Sequence, residues 1–578
     1  MNHILMVFNA CILIGYVCIV EASLFAADSI RRPNVLFIAM DDLNDWIGVL
    51  GGHPQSLTPN LDRLARDSVL FENAHCSAPA CNPSRTAIFT GRSPHRTGVY
   101  SNLQGMRDVL PDATLIPKVF SRHSYHSAGS GKLLHYFIDA PSWDEYFPAA
   151  STENPFPRTL QPKSRPVSLP RGGPWQYVET DWGPLDATDA EAGGDFLVAK
   201  WVSEQLRKPH TEKPFFLACG IYRPHEPWFV PKKYFQPFPL NSIQLPPGYR
   251  VDDLTDVPPT GQRHARNRYF EHILKHKQWR NAIQGYLASI HYADAMLGTV
   301  LDTLHASPHA SNTIVVLWSD HGWHLGEKEH WQKYTAWRAC TRVPLMIRVP
   351  NGVPGLPKGT TPARCQQPVN LLSLAPTLLE LCGLPAERVH DGPSLVPLLE
   401  NPKADWSHVS ITYLHERGSY GLSAKRYRLI HYANGDEELY DIESDPYEWK
   451  NLGNDPRYDS QRNRLRQLAP TNFAVAPKPT IDALQKLAWH PLKPGKLAPV
   501  SRPDGNRFDV VFINRSERTV SLWWMNRAGE PKPYGKIEVG KQLRQKTRPG
   551  AVWMIRDDNG KNLGYYRVGD RTAKAIIP

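Results

Sequence analysis

The chain is poor in cysteine: 8 among 578 residues, too few for a fold stapled by disulfides. No spacing among them resembles a zinc site. No internal repeat is visible, which excludes a solenoid or propeller array. Long hydrophobic runs are missing beyond Ile4–Val20, so a polytopic membrane protein is excluded. With 41% hydrophobic and 21% charged residues, the chain is neither a disordered tail nor a fibre. What is abundant is proline (53) and tryptophan (17), pointing to long ordered loops and aromatic-lined surfaces. The length is worth about four domains of chain.

The net charge of +11 is uneven. From Arg502 to the end there are 16 Lys or Arg against 8 Asp or Glu, leaving 11 − 8 = +3 for the first 501 residues. The basicity therefore belongs to a C-terminal module. At the other end, the apolar run followed by Ala22, Ala26 and Ala27 reads as a signal peptide over residues 1–27, with an uncleaved anchor as the alternative. The expected location is secreted or periplasmic. Six Cys then remain, and in an exported chain Cys365 and Cys382 could pair.

Four apolar runs read as buried strands: Asn34–Met40, Phe215–Cys219, Ile314–Trp318 and Val343–Ile347. Such runs, separated by helical segments, predict a parallel sheet covered on both faces. Thr58 is placed to cap a helix that Pro59 opens. Apolar residues from Ile283 to Leu304 keep helical spacing. Open α/β sheets bind ligands beyond the carboxyl ends of their strands, where Asp41, Asp42, His225, Asp320 and His321 fall. Long insertions from Asp139 to Trp182 and from Trp228 to Arg268 read as functional rims. From Ser407 to Leu452 the pattern turns antiparallel, with a turn at Asn434-Gly435. A Pro-, Lys- and Ala-rich linker follows, and then an all-β pattern.

Adjacent carboxylates at a strand end, joined in space by another carboxylate and a His, suit a hard divalent cation. The segment Cys81-Asn82-Pro83-Ser84-Arg85 places a Cys at a Pro-initiated helix, where backbone amides and the helix dipole favour an anion. Arg85, one turn in, can fix that anion. These residues alone describe either a low-pKa thiol or an oxyanion site.

Cys-x-Pro-Ser-Arg, with Thr90-Gly91 five residues after the Arg, resembles the signature of the type I sulfatases of the alkaline-phosphatase-like fold. The resemblance spans Pro33 to Leu452. It includes Asp41-Asp42, Gly131-Lys132-Leu133-Leu134-His135, Arg223-Pro224-His225, Ser319-Asp320-His321-Gly322, Lys333 and Glu438-Leu439-Tyr440-Asp441. The Asp-His pair and the Lys-x-x-His spacing make it most similar to the iduronate-2-sulfatase branch; Ala80 and Asn82 depart from the commonest signature. The resemblance implies an α/β fold with a mainly parallel sheet over residues 33–400 and a smaller antiparallel subdomain over 401–474. It also implies that Cys81 is oxidised to formylglycine by a formylglycine-generating enzyme. The aldehyde hydrate offers two oxygens, one to attack sulfur and one whose deprotonation later releases sulfate. By match, Asp41, Asp42, Asp320, His321 and the modified Cys81 hold Ca²⁺, and Arg85 helps to hold the nucleophile and the sulfate. Lys132, His225 and Lys333 bind sulfate oxygens, His225 being the expected general acid and His135 the base. Trp323, His324 and Glu327 are expected to be packing or rim residues.

After a linker over 475–504, residues 505–578 carry a second resemblance, to the β domain of the von Hippel–Lindau tumour suppressor, a small β-sandwich. Phe512-Ile513-Asn514-Arg515-Ser516, the alternation Val520, Leu522, Trp524, and Gly529-Glu530-Pro531-Lys532-Pro533-Tyr534 support it. That family binds hydroxyproline with a Tyr, a Ser, two His and a Trp. Here Tyr534, Thr547 and Trp553 stand in the Tyr, Ser and Trp places, while Lys546 and Ala551 replace the two His. The module is expected to be either a structural appendage or a dock for a polyanion or protein, through Lys541, Arg544, Lys546 and Arg548, with no nucleic acid partner. The whole reads as an exported sulfatase acting on a sulfated saccharide. The alternatives are a phosphoester or phosphonate-ester hydrolase and an inactive sulfatase-like binding protein.

Overall fold

The structure is a computed structural model that describes residues 32–135, 137–148, 169, 180–210, 212–477, 480–503, 507–569 and 571–578. The expected signal peptide and most of the first long insertion lie outside the described residues. Among the described residues no helix is long and apolar enough to cross a membrane.

The central sheet has eight strands. They are β1 Asn34–Met40, β2 Val69–Phe71, β3 His126–Gly131, β4 Glu145–Phe147, β5 Phe215–Ile221, β6 Thr313–Ser319, β7 Leu345–Arg348 and β8 Ala363–Cys365. Their order is β8-β2-β7-β6-β1-β5-β3-β4. β1 lies at the middle, parallel to β5 and β6, with Val35 opposite both Phe216 and Ile314. Every residue of β1 is buried because alternate side chains enter two cores. Leu36, Ile38 and Met40 face one, while Val35, Phe37 and Ala39 face the other.

The fourth apolar run departs from the parallel expectation. β7 runs antiparallel to both β6 and β2. The chain between Ser319 and Leu345 stays at the edge of the sheet where β6 ends, Leu345 pairing with Trp318, so β7 runs back through the sheet in the opposite direction.

The helices that position the site are α1 Pro59–Arg66, α2 Cys81–Thr90, α3 Asp195–Arg207 and α4 Trp279–His305. α4 keeps the expected apolar face, with Ile283, Leu287, Ile290 and Leu297 buried. Thr58 does not cap α1. Its hydroxyl accepts from Gly48 N at 2.9 Å, and the first free amides of α1 bond the α4 carboxylate Asp294, Leu61 N at 2.8 Å. A distant acid thus does the work that a local cap usually does.

Beyond this sheet a four-stranded antiparallel sheet forms from β9 Ser410–Tyr413, β10 Tyr420–Ser423, β11 Tyr427–His431 and β12 Glu437–Asp441. The turn at Asn434-Gly435 joins its last two strands, with Gly435 at φ 93°. Helix α5 Asp459–Arg466 follows.

The carboxyl-terminal region is a two-sheet sandwich of β13 Phe508–Asn514, β14 Val520–Met525, β15 Pro531–Ile537, β16 Gln542–Thr547, β17 Val552–Asp557, β18 Asn562–Arg567 and β19 Ala573–Ile577. Its sheets enclose Val510, Phe512, Val520, Leu522, Trp553 and Ile555. Part of the stretch expected to be a linker is built into it: Gln485–Lys486 pairs with β19 and His490–Pro491 with β18. Cys365 and Cys382 are both buried free thiols, so they do not pair.

Candidate active site

The four parallel strands β1, β3, β5 and β6 end on the same edge of the sheet. Asp41 and Asp42 follow β1, Lys132 follows β3, His225 lies in the loop after β5, and Asp320-His321 follow β6. Cys81 opens α2 over that edge. The chain bends sharply to bring these groups inward. Asp42 has φ 60°, and Gln332 and Tyr334, on either side of Lys333, have φ 84° and 79°. Non-glycine residues in the left-handed region carry strain of the kind that collects at functional sites. Gly131, at φ 79°, lets β3 turn where a Cβ would stand 2.1 Å from Gly220 O.

Cys81 is fully buried. Its sulfur is 3.1 Å from Lys333 Nζ, 3.3 Å from His321 Nε2, 3.7 Å from Lys132 Nζ and 3.9 Å from Asp42 Oδ1. His135 also hydrogen-bonds the thiol. Burial alone would raise the thiol pKa, but Lys132, Lys333 and His321 outweigh it and hold it well below its ordinary value. Position 81 is thus built for a negative group.

The lysines are shared with the acids. Lys333 Nζ is 2.9 Å from Asp42 Oδ1, and Lys132 pairs with Asp41. His225 Nδ1 donates to Glu226 O at 2.6 Å, leaving Nε2 3.7 Å from Asp42 Oδ2. Burial disfavours its charge, yet Asp42 prevails and its pKa is raised. Burial lowers His135 to about 4 despite its bond to Cys81. The two histidines therefore differ: His225 favours its protonated form and His135 its neutral form.

Two ligand sets have their donor atoms within 4.8 Å of one another: Asp41, Asp42, Cys81 and His225, and Cys81, Asp320 and His321. His321 donates from Nδ1 to Gly322 O, so Nε2 is turned to Asp42 at 3.3 Å. Three buried carboxylates converging with an imidazole fit a hard divalent cation.

Arg85 is anchored among acids and carbonyls. It is wholly buried, and each guanidinium nitrogen bonds protein oxygen. Nε meets Asp320 Oδ2 at 2.7 Å, Nη2 meets Asp41 Oδ1 at 2.9 Å, and Nη1 bonds the carbonyls of Lys132 and Leu133. The guanidinium thus ties Asp41 to Asp320.

Asp195 and Glu226, beside the site, carried no sequence signal. Asp195 on α3 accepts the Tyr222 and Arg223 amides at 2.6 and 3.0 Å and so fixes the loop of His225. Glu226 is fully buried and bonded by Thr180 and Gln332. Trp323, His324 and Glu327 are buried rather than at a rim, and the Trp323 ring lies under Lys333 Nζ at 5.4 Å. In the sandwich, Tyr534 packs edge-on against Trp553 at 4.9 Å, and Trp553 Nε1 donates to Thr547 at 2.9 Å. The three are adjacent, but Trp553 and Thr547 are buried.

A parallel sheet with acids, lysines and histidines at its carboxyl edge, closed by a cysteine-headed helix, defines a sulfatase of the alkaline-phosphatase-like fold. The sulfatase family model matches residues 33–384, that of the N-sulphoglucosamine sulphohydrolase C-terminal region matches 326–471, and that of the VHL beta domain matches 501–564. The chain belongs to the sulfatase family and is a sulfuric ester hydrolase. It is 39% identical over 456 residues to a sulfatase of Formosa agariphila, covering 77% of this chain and 88% of that one. It is 32% identical over 410 residues to the iduronate 2-sulfatase of Mus musculus, covering 65% and 73%. Among solved structures it resembles the phosphonate monoester hydrolase of Agrobacterium radiobacter in fold, with a TM-score of 0.60 and 20% identity over 75% of this chain and 94% of that one.

Proposed function

We propose that this is an exported sulfatase that removes a sulfate ester from an anionic saccharide, of the 2-O-sulfated uronate type, through an aldehyde made from Cys81 and a bound Ca²⁺. The observation that carries the reading is the buried Cys81 sulfur set between Lys132, Lys333, His321 and Asp42. The likeness to an iduronate 2-sulfatase supports the sugar class.

Asp41, Asp42, Asp320 and His321 would hold the cation. Once present, the aldehyde hydrate supplies paired oxygens for attack and release, and Ca²⁺ supplies Lewis-acid polarisation. The rest falls to the chain's own side chains. Lys132 and Lys333 flank position 81 and bind the sulfate oxygens, with charge-assisted bonds that strengthen in a water-poor site. His225 delivers a proton from Nε2 to the leaving alcohol, because Asp42 favours its charged form. His135, neutral at physiological pH and bonded to position 81, accepts the proton there. Arg85 keeps Asp41 and Asp320 at fixed spacing.

The test has two parts. Peptide mass spectrometry of the protein from its native host should show the aldehyde at position 81; an intact thiol would favour an inactive binding protein. Sulfate release should be measured on a panel of defined sulfated oligosaccharides, beside aryl sulfate and aryl phosphate. A larger kcat/KM on the phosphate would place the chain with the phosphoester hydrolases.

A further inference from the structure

The sandwich does not stand apart from the catalytic edge. Thr572 donates from its amide and its hydroxyl to the Asp108 carboxylate at 3.1 and 2.8 Å. Arg571 reaches Asp139 at 3.5 Å, and Asp139 is also held by Arg107 at 2.6 Å. These bonds close a cleft of about 430 Å³ between the two regions. On its catalytic side lie Asn82, Gln104 and His135; on its sandwich side lie Arg507, Lys546 and Arg571.

Two features of this cleft point to a ligand. Its catalytic wall includes His135, which hydrogen-bonds Cys81, and Asn82, the residue after Cys81. The cleft therefore runs up to the reacting position. Its opposite wall is cationic. Arg571 and Arg107 share Asp139, and Asp509 is paired with Arg544 at 3.0 Å. Arg507 and Lys546 line the cleft, are exposed and form no ion pair among the described residues. They stand at the ends of neighbouring strands, Arg507 just before β13 and Lys546 in β16 opposite Asp509. A second cleft of about 820 Å³, lined by Lys333 and Tyr334, opens elsewhere on the site. The Asn102–Tyr334 hydrogen bond, 3.3 Å long, joins the linings of the two.

We propose that the sandwich is the outer wall of a substrate subsite, in which Arg507 and Lys546 take a second anionic group of a saccharide whose reacting sulfate lies at position 81. The inference rests on the sulfatase reading and adds the size and charge of the substrate: an oligosaccharide with an acidic group on a residue beside the one attacked. Lys546, one of the two replacements for the histidines of the resembled β domain, then serves the catalytic cleft and not a separate dock. Of the expected basic cluster, Arg544 is engaged by Asp509.

The test uses full-length Arg507→Ala/Lys546→Ala protein. The ratio of kcat/KM for a multiply sulfated tetrasaccharide to that for a monosulfated aryl ester should fall about tenfold, two exposed charge contacts each being worth a few-fold. The fall should shrink as salt is raised. An unchanged ratio would overturn the proposal. Should the unaltered protein release no sulfate from any ester, the sulfatase reading fails separately. Calorimetric binding of the same tetrasaccharide to Cys81→Ala protein, with and without the double substitution, then decides the subsite. Weaker binding in the double variant supports it; equal binding or none overturns it.

Discussion

Arg85→Lys separates two roles that a cationic side chain at this position could have. In the structure Arg85 bonds Asp320 Oδ2 at 2.7 Å, Asp41 Oδ1 at 2.9 Å and two backbone carbonyls, all within a fully buried pocket. An ammonium keeps the charge but is a point donor, without the planar fork that spans two carboxylates at once. Losing one carboxylate contact in such a site should cost about 3 kcal/mol of stability. The freed carboxylate would also present its oxygen less accurately to a cation, and supporting contacts of this kind are worth roughly 10–100-fold in metal affinity. The assay is sulfate release titrated with Ca²⁺, normalised to the aldehyde content at position 81 because Arg85 lies within the modification signature. The calcium requirement should rise by that factor, and activity should recover in excess calcium with KM for the ester little changed. A raised KM that calcium does not restore, with an unchanged calcium requirement, would refute the reasoning and return Arg85 to the anion.

Removal of metal by a chelator should abolish turnover and lower the melting temperature, because Asp41, Asp42 and Asp320 are buried together. Readdition of Ca²⁺ at a hundred times its dissociation constant should restore about 2.7 kcal/mol; no shift in millimolar calcium would count against the site. Glu437 makes a pH prediction away from the metal. Its burial opposes ionisation, but His431 and Arg466 outweigh this and hold its pKa at about 2 against an ordinary 4.5. Because the folded value is depressed, its contribution is complete above about pH 4.5 and is lost as the pH falls toward 2. Glu437→Gln should therefore cost about 1–2 kcal/mol at pH 7, allowing for solvent screening of Arg466. In denaturant titrations the difference should vanish near pH 2, and a constant difference across that range would contradict the assignment.

The central strands were legible because a strand buried on both faces carries an unbroken apolar run, as Val35–Met40 and Ile314–Trp318 do within strands that are buried throughout. Direction was not. Leu345–Arg348 has the same apolar character whichever way it runs, and only the return of the chain to the sheet at the edge where β6 ends turns it antiparallel. The same limit applies at the amino end of α1, where the local Thr58 looks like a cap while Asp294, far along the chain, does the capping.

The residues that meet at position 81 were named by motif because their chemistry depends on residue type: acids for a cation, lysines for an anion, histidines for protons. The partners each side chain bonds were not, since these depend on distances between groups brought together from separate stretches. Arg85 could reach an anion or a carboxylate, and only packing delivers it to Asp41 and Asp320. The sandwich shows the same split. Alternation along Val520, Leu522 and Trp524 encodes a two-faced strand, for period two is a local property. That Arg507 and Lys546 face a cleft ending at His135 depends on Thr572 meeting Asp108, a contact between residues 464 positions apart that no local pattern records.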